Sequence, residues 1–283
     1  MAEQEGSCRR NVNWYENRCF SVANRSVAWH YAIRFRSTVS TVFEAHDFMA
    51  RVPPFLKCII LMILLTGVGV AATSLLETTG MDLRWAGAFY TEGGANGGWA
   101  HARAIPWTTL YNYGELPGLV FGVVCLAVCL LSRAGKAPGK YVKPCLVVVL
   151  TLILGPGLAV NGILKNYWGR PRPEDVWADG GPLGYKRVCE QGTPGIGKSF
   201  TCGHCSVAFS LSSGAAFYPY HPVAASLALV GGVAYGLMMG VARMAQGGHF
   251  PTDVLWSGII VLAIVNCLYY LVFRIPRTFM DEG

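Results

Sequence analysis

Residues 144–164 read PCLVVVLTLILGPGLAVNGIL, and residues 165–173 read KNYWGRPRP. The first stretch has no charged side chain, and the second holds Lys165, Arg170 and Arg172. An apolar run of this length fits one membrane crossing, which takes about 20 helical residues. Its abrupt end in three cations places a polar cluster at the membrane boundary.

Working outward, five more stretches have similar character: Phe55–Leu76, Leu116–Leu131, His204–Tyr218, Val223–Val241 and Val254–Phe273. The Leu116 and His204 stretches are short, so each is expected to gain a turn at one end, the latter back to Thr201. No alternating strand pattern appears, and in lipid an unpaired backbone leaves helices as the solution. The expected fold is an all-α integral membrane protein with a six-transmembrane-helix bundle. Composition agrees: 53% of residues are apolar and 14% charged, against about 25% charged in ordinary soluble domains. The expected organisation is an N-terminal segment 1–54, a membrane domain 55–274 and a tail 275–283.

An even number of spans puts both termini on one side. That side holds eight Lys/Arg from Arg9 to Lys57, then Arg133, Lys136, Lys140, Lys143, Arg274 and Arg277. The positive-inside rule makes it cytoplasmic. This also explains the net charge of +7 without a nucleic acid. No apolar h-region follows the early arginines, so the N-terminal segment does not read as a signal peptide. Between Glu16 and Arg51, aromatic and aliphatic residues mix with arginines. A basic helix on the membrane surface and a cytosolic tail are both open readings.

Three clusters carry chemistry: Lys165–Pro173 after the third span, Phe200–Ser206 (FTCGHCS) opening the fourth, and Arg243–Asp253 (RMAQGGHFPTD) between the fifth and sixth. Span order puts all three on the non-cytoplasmic side, and ionisable residues at membrane depth point to function. Lys165, Arg172 and Arg243 are cations able to converge on a phosphate. Backbone N–H groups at Gly203, with Cys202 beside it, add an anion site. His204 and His249 suit a nucleophile and a general acid. Asp253, four residues after His249, is placed to hold the imidazole tautomer, although an N-cap role for the sixth helix is equally open. Arg170, for which a clamp role and a headgroup contact are both open, and Lys198 are further candidates.

Other motifs are weaker. Gly192–Ser199 (GTPGIGKS) matches a phosphate-binding loop by letters, but no buried strand precedes it and the side is wrong for cytosolic nucleotide. A flexible Gly-rich loop at the mouth of the site is expected, with Lys198 near the substrate. Cys202-Gly-His-Cys205 has redox or zinc spacing, yet zinc needs about four ligands and the candidates run short. No acidic cluster suggests Mg²⁺ or Ca²⁺. No metal or cofactor is therefore expected. Of ten cysteines, Cys189, Cys202 and Cys205 fall on the non-cytoplasmic side, where disulfides form. Asn24-Arg25-Ser26 is a glycosylation sequon on the cytoplasmic side.

Lys165-x6-Arg172-Pro173, Gly203-His204 opening the next helix, and Arg243-x5-His249-x3-Asp253 together resemble the signature of the type 2 phosphatidic acid phosphatase (PAP2) superfamily. The resemblance covers about Met81 to Phe273. It implies that His249 forms a phosphohistidine with Asp253 orienting it, that His204 protonates the leaving alkoxide, and that Lys165, Arg172 and Arg243 clamp the phosphoryl oxygens. Two positions depart: Thr201-Cys202 stands where Pro-Ser is usual, and Ala242 stands where Ser is usual. Serine would offer the phosphate a hydroxyl; Cys202 is a poorer donor, and its pairing with Cys189 is an open alternative.

Gly155-Pro156-Gly157-Leu158…Asn161…Trp168-Gly169-Arg170-Pro171 and Met81-Asp82-Leu83…Phe89-Tyr90 resemble the bacterial lipid A phosphatase branch. The implied substrate is a membrane lipid phosphate, most specifically a lipid A phosphomonoester, with neither nucleotide nor nucleic acid as partner. The implied setting is the bacterial inner membrane, with the site facing the periplasm. Undecaprenyl pyrophosphate, phosphatidylglycerol phosphate and phosphatidate are alternative substrates. An anion transporter or channel is the non-enzyme alternative, for which internal repeats with broken helices are expected and none is seen.

Overall fold

A computed structural model describes residues 52–177 and 183–275. The expected interfacial segment, Cys8, Cys19, Asn24 and most of the C-terminal tail lie outside the described residues. Those described form helices and loops, with no strand among them. The helices are α1 Pro54–Thr78, α2 Met81–Gly87, α3 Trp107–Tyr113, α4 Leu116–Arg133, α5 Val142–Leu152, α6 Pro173–Trp177, α7 Gly203–Phe209, α8 Pro222–Ala245 and α9 Pro251–Cys267.

Among the described residues five helical stretches are long and apolar enough to cross a membrane: Pro54–Thr78, Trp107–Arg133, Gly139–Tyr167, Pro222–Ala245 and Pro251–Val272. Their outward side chains are apolar; Ile63, Val123, Leu227 and Val230 are each exposed by about two-thirds. A protein in water buries such residues, whereas lipid solvates them.

The fourth stretch is different in kind. It starts at Gly203, with Cys202 as N-cap, rather than at Thr201. Seven residues of α-helix lead into eight of 3-10 helix, Ser210–Phe217. At about 1.5 and 2.0 Å per residue it reaches roughly 26 Å, close to the ~30 Å hydrocarbon core. Almost every residue in it is buried by its neighbours, Ser206, Ser210, Ser212 and Ser213 included. Three of these hydroxyls bond within the helix, Ser206 Oγ to Gly203 O at 2.6 Å, Ser210 Oγ to Ser206 O at 2.8 Å and Ser213 Oγ to Ser210 O at 2.5 Å, while Ser212 Oγ has no partner among the described residues. A segment packed mainly against its neighbours has little need of high hydropathy.

Small residues let the other helices close on it, as in membrane bundles generally. A Cβ on Gly118 of α4 would lie 2.6 Å from Val207 O, and one on Gly232 of α8 would lie 2.3 Å from Ser212 N. Gly236 and Gly258 abut the Phe209 ring from α8 and α9.

The quoted stretch 144–164 is not uniform α-helix. After α5 the chain widens into a π-helix over Ile153–Leu164, with Pro156 inside it, before a last α turn at Lys165–Tyr167. Proline lacks the N–H that an α-helix requires and crowds the preceding turn. Widening accommodates it, and such insertions recur at functional sites. The Asn161 side chain donates to the Pro156 carbonyl at 2.7 Å. That fixes Asn161 against the start of α7, where its Oδ1 would lie 2.7 Å from a Cβ on Gly203. Only glycine fits there, so Gly155-Pro156-Gly157…Asn161 and Gly203 form one packing unit.

Candidate active site

Every chemistry-bearing cluster leaves its helix at the same end of the bundle. Lys165 ends the third span, Arg243 lies in the last turn of α8, His204 in the first turn of α7 and Asp253 in the first turn of α9. Arg243, His249, Lys165 and Arg172 all act electrostatically on His204. Lys165 in turn lies in the field of Arg172, Arg243 and Lys198, with Glu115 the opposing charge. These five residues thus lie within electrostatic reach of one another, with the exposed Lys198 beside them.

His249 is 1% exposed. Its Nδ1 lies 2.7 Å from the Ser199 carbonyl and 3.7 Å from Asp253 Oδ2. The carbonyl accepts only, so Nδ1 carries the proton and Nε2 keeps its lone pair. The Ser199 carbonyl is the nearer acceptor, and Asp253 stands behind it, still coupled to the imidazole. Its carboxylate accepts from Ser199 Oγ at 2.5 Å and from the Phe250 N–H at 2.8 Å. It thereby holds the two segments that hold the imidazole. Burial pushes the His249 imidazole down to about 4, against the opposing pull of Asp253, so the ring is neutral at pH 7.

Arg170 is neither a phosphate clamp nor a headgroup anchor. It is wholly buried and donates to Asp253 Oδ1 at 2.5 Å, Asp82 Oδ2 at 2.8 Å, Thr252 Oγ1 at 2.8 Å and the Lys186 carbonyl at 2.9 Å. Asp82, from α2, also accepts from the Thr252 N–H at 2.9 Å and Tyr185 OH at 3.0 Å. Burial opposes the cation, but Asp253 and Asp82 outweigh it and hold Arg170 charged above its ordinary range. Two carboxylates and one guanidinium, each nitrogen of the guanidinium bonded, form a buried structural hub.

Arg172, two residues on, projects the other way. Its guanidinium is about one-third exposed and meets Glu174 Oε1 at 2.8 Å. Arg243 is 8% exposed. Its Nη1 donates to Gln246 Oε1, and its guanidinium lies 4.7 Å over the Tyr111 ring. Its Nε is buried with no partner among the described residues. A buried guanidinium N–H without an acceptor is costly, and a phosphoryl oxygen would supply one. Gly248 presses on this side chain, since a Cβ there would lie 2.4 Å from Arg243 Nη2.

His204 is stacked on Tyr111, with ring centroids 4.9 Å apart. Its Nδ1 faces Glu115 Oε1 at 3.7 Å, which leaves Nε2 for the pocket. Neither Tyr111 nor Glu115 was picked out by motif. The available signal was that Glu115 is the lone acid between Trp107 and Arg133, and an ionisable group inside an apolar span is informative.

Cys202 does not offer its sulfur to the site. It forms a disulfide with Cys205, and its Sγ accepts the Cys205 N–H at 3.2 Å. Cys189 is free and exposed, so the alternative Cys202–Cys189 pairing is not the one adopted. The Gly192–Ser199 segment is also not a loose flap. Gly192 N bonds Trp168 O at 3.0 Å and Ser199 N bonds Arg170 O at 3.0 Å, so the segment straps the Gly169–Arg170 backbone into place. Among the described residues no group of three or more His, Cys, Asp or Glu is arranged to hold a metal.

A family model described as the PAP2 superfamily matches residues 142–277. The lipid A 4'-phosphatase of Francisella tularensis subsp. novicida (strain U112) is 31% identical over 216 residues, 69% of this chain and 87% of that protein. The lipid A 4'-phosphatase of Rhizobium leguminosarum is 33% identical over 125 residues, 42% of this chain and 52% of that protein. No solved structure matches the chain. With three motifs gathered at one end of an apolar helical bundle and a relative aligned along most of its length, the chain belongs to the PAP2 superfamily and is a membrane-embedded phosphoric-ester hydrolase.

Proposed function

We propose that this chain removes a phosphate monoester from lipid A at the periplasmic face of a bacterial inner membrane, through a phosphohistidine on His249. The observation that carries the reading is the unbalanced charge of the pocket. Lys165, Arg172 and Arg243 surround the two histidines, and the buried Arg243 Nε lacks an acceptor among the described residues. Phosphoryl transfer needs mostly such positioning and charge neutralisation. The two relatives are lipid A 4'-phosphatases, which supports lipid A as substrate and the 4'-phosphate as the group removed.

In the first step His249 Nε2 bonds to phosphorus while the bond from phosphorus to the lipid oxygen breaks. The His204 Nε2–H gives its proton to that oxygen, with Glu115 supporting the imidazolium from the Nδ1 side. In the second step neutral His204 takes a proton from water, the hydroxide attacks phosphorus and the P–N bond breaks. Inorganic phosphate leaves and His249 is neutral again. The Ser199 carbonyl fixes Nδ1–H throughout, so the attacking nitrogen is always Nε2. Lys165, Arg172 and Arg243 hold the oxygens, with the Gly203 N–H as a further donor. The step needs no metal.

The test is phosphate release in detergent, with EDTA, from lipid A phosphorylated only at the 4'-position, only at the 1-position, from phosphatidate and from undecaprenyl pyrophosphate. The expected result is preferential turnover of the 4'-monophosphate, unaffected by chelator. Preference for phosphatidate or the pyrophosphate, or loss in EDTA restored by Mg²⁺ or Zn²⁺, overturns the reading.

A further inference from the structure

Beside the phosphate-clamping side of the site lies a cavity of about 430 Å³ lined by Tyr90, Trp99, Glu174, Asn96 and glycines of the 93–98 loop. Its volume falls in the ~300–1,000 Å³ range of small-molecule sites. It joins the proposed catalytic residues by three short links. Glu174 Oε1 meets Arg172 at 2.8 Å, the Glu174 N–H bonds the Gly247 carbonyl at 2.9 Å, and the Trp99 ring covers Gly247, where a Cβ would lie 2.5 Å from it. Gly247 lies two residues before His249.

The lining has the chemistry of a neutral polar ring. Trp99 and Tyr90 offer aromatic faces, 5.5 Å apart at their centroids. Trp99 is buried, with 4% of it exposed, and Asn96 stands at the exposed rim of the cavity. An indole N–H and a side-chain amide are donors that the oxygens of a ligand can use. Gly94 and Gly98 have no side chain to screen their backbone groups, and Gly93 and Gly97 adopt φ of +68° with open space at the Cβ position. Glu174 adds a negative charge beside the cationic clamp. That disfavours a second phosphate here and favours hydroxyl or amide donors. An acyl-glycerol would leave these polar groups unpaired, at a cost in affinity.

We infer that this cavity is a subsite for the hexosamine ring that carries the scissile phosphate. The apolar C–H face of the ring rests on Trp99 and Tyr90, its acceptors take the Trp99 and Asn96 N–H groups, and its donors meet Glu174 and the glycine carbonyls. The inference rests on the proposed lipid A phosphatase activity and adds to it the place where sugar is told from glycerol.

The test avoids Glu174, because its loss also frees Arg172. Asn96 has φ 56°, so Asn96→Gly removes the amide while keeping a backbone that glycine adopts freely. Gly97→Asn fills open space with a residue that tolerates the left-handed region. For each variant two numbers are read: KM for 4'-monophosphorylated lipid A, and the competitive inhibition constant of inorganic phosphate, which probes the clamp without a sugar. The expected result is a KM raised about tenfold, kcat within twofold and an unchanged phosphate constant. Equal weakening of both constants, or no change in either, overturns the subsite while leaving the lipid A reading intact. A wild type that hydrolyses dioleoyl phosphatidate but not the sugar lipid overturns that reading and the subsite with it.

Discussion

Arg170 and Arg172 are separated by one proline, yet they face two regions governed by opposite rules. Behind His249 the charges are closed: Arg170, Asp82 and Asp253 are buried and bonded to one another. In front of it they are open: among the described residues the Arg172 guanidinium keeps one partner and Arg243 Nε has none, and Lys165 adds a third cation. A closed network resists movement because every displacement leaves a buried group unpaired. An open one is incomplete until an anion arrives. The first kind sets geometry and the second kind supplies affinity.

The largest effect expected is at the junction of the two regions. Under the proposed mechanism His249→Ala abolishes turnover of both alkyl and aryl phosphates, because no covalent intermediate forms. His204→Ala loses about 10²–10⁴-fold on an alkyl phosphate and noticeably less on an activated aryl phosphate, whose leaving group needs no acid. Acid quenching with labelled substrate traps a phosphoenzyme in wild type and none in His249→Ala. Label that survives in His249→Ala and vanishes in His204→Ala reverses the two assignments.

The comparison itself breaks most directly at the two arginines. Arg170→Ala leaves two buried carboxylates facing each other, a loss of roughly 3–5 kcal/mol. The detergent-solubilised variant is expected to melt far below wild type or to fail to accumulate. Arg172→Ala removes a partly exposed side chain, so the melting temperature should hardly move while KM rises. If the two variants show the same pattern, the closed and open regions are not distinct.

A pH experiment sharpens the closed side. The folded His249 is held at about 4 by burial, below the ordinary value of about 6.5. The unfolded chain therefore binds this proton first. Its contribution to stability is complete above about pH 6.5 and is lost as pH falls toward 4. Titration of ¹⁵N-labelled histidine in the free enzyme should find His249 still neutral at pH 5.5. Half-protonation near 6.5 would mean that water reaches the ring.

Smaller effects are expected at the periphery. Glu115→Gln keeps the shape beside His204 and removes the charge, so kcat should fall about tenfold with little change in KM. A KM effect without a kcat effect would move Glu115 from supporting the acid to shaping the pocket. Cys202→Ser, which breaks the Cys202–Cys205 bridge, should stay within about threefold of wild type, because a bridge across so short a loop removes little chain entropy. Inactivation by both this change and a thiol reductant would make the bridge part of the machinery.

The sequence alone determined the helical membrane fold, because long uncharged runs admit few other solutions in lipid. It also determined which end of the bundle carries the site, since the order of spans dictates where each loop emerges. Covalent spacing made the motif residues legible: Lys165 with Arg172, and Arg243 with His249 and Asp253. What it did not show were contacts between residues distant in the chain. Asp82 and Arg170 meet across 88 positions, and Ser199 reaches His249 across 50. Nor did hydropathy describe the fourth helix well, because that helix is solvated by other helices rather than by lipid. Only the tertiary structure decided which of two neighbouring arginines is buried, that Asp253 steadies His249 through Ser199 and Phe250, and that Glu115 stands beside His204. Such roles depend on which groups find partners in a crowded interior, and that is a property of packing in three dimensions that no local pattern encodes.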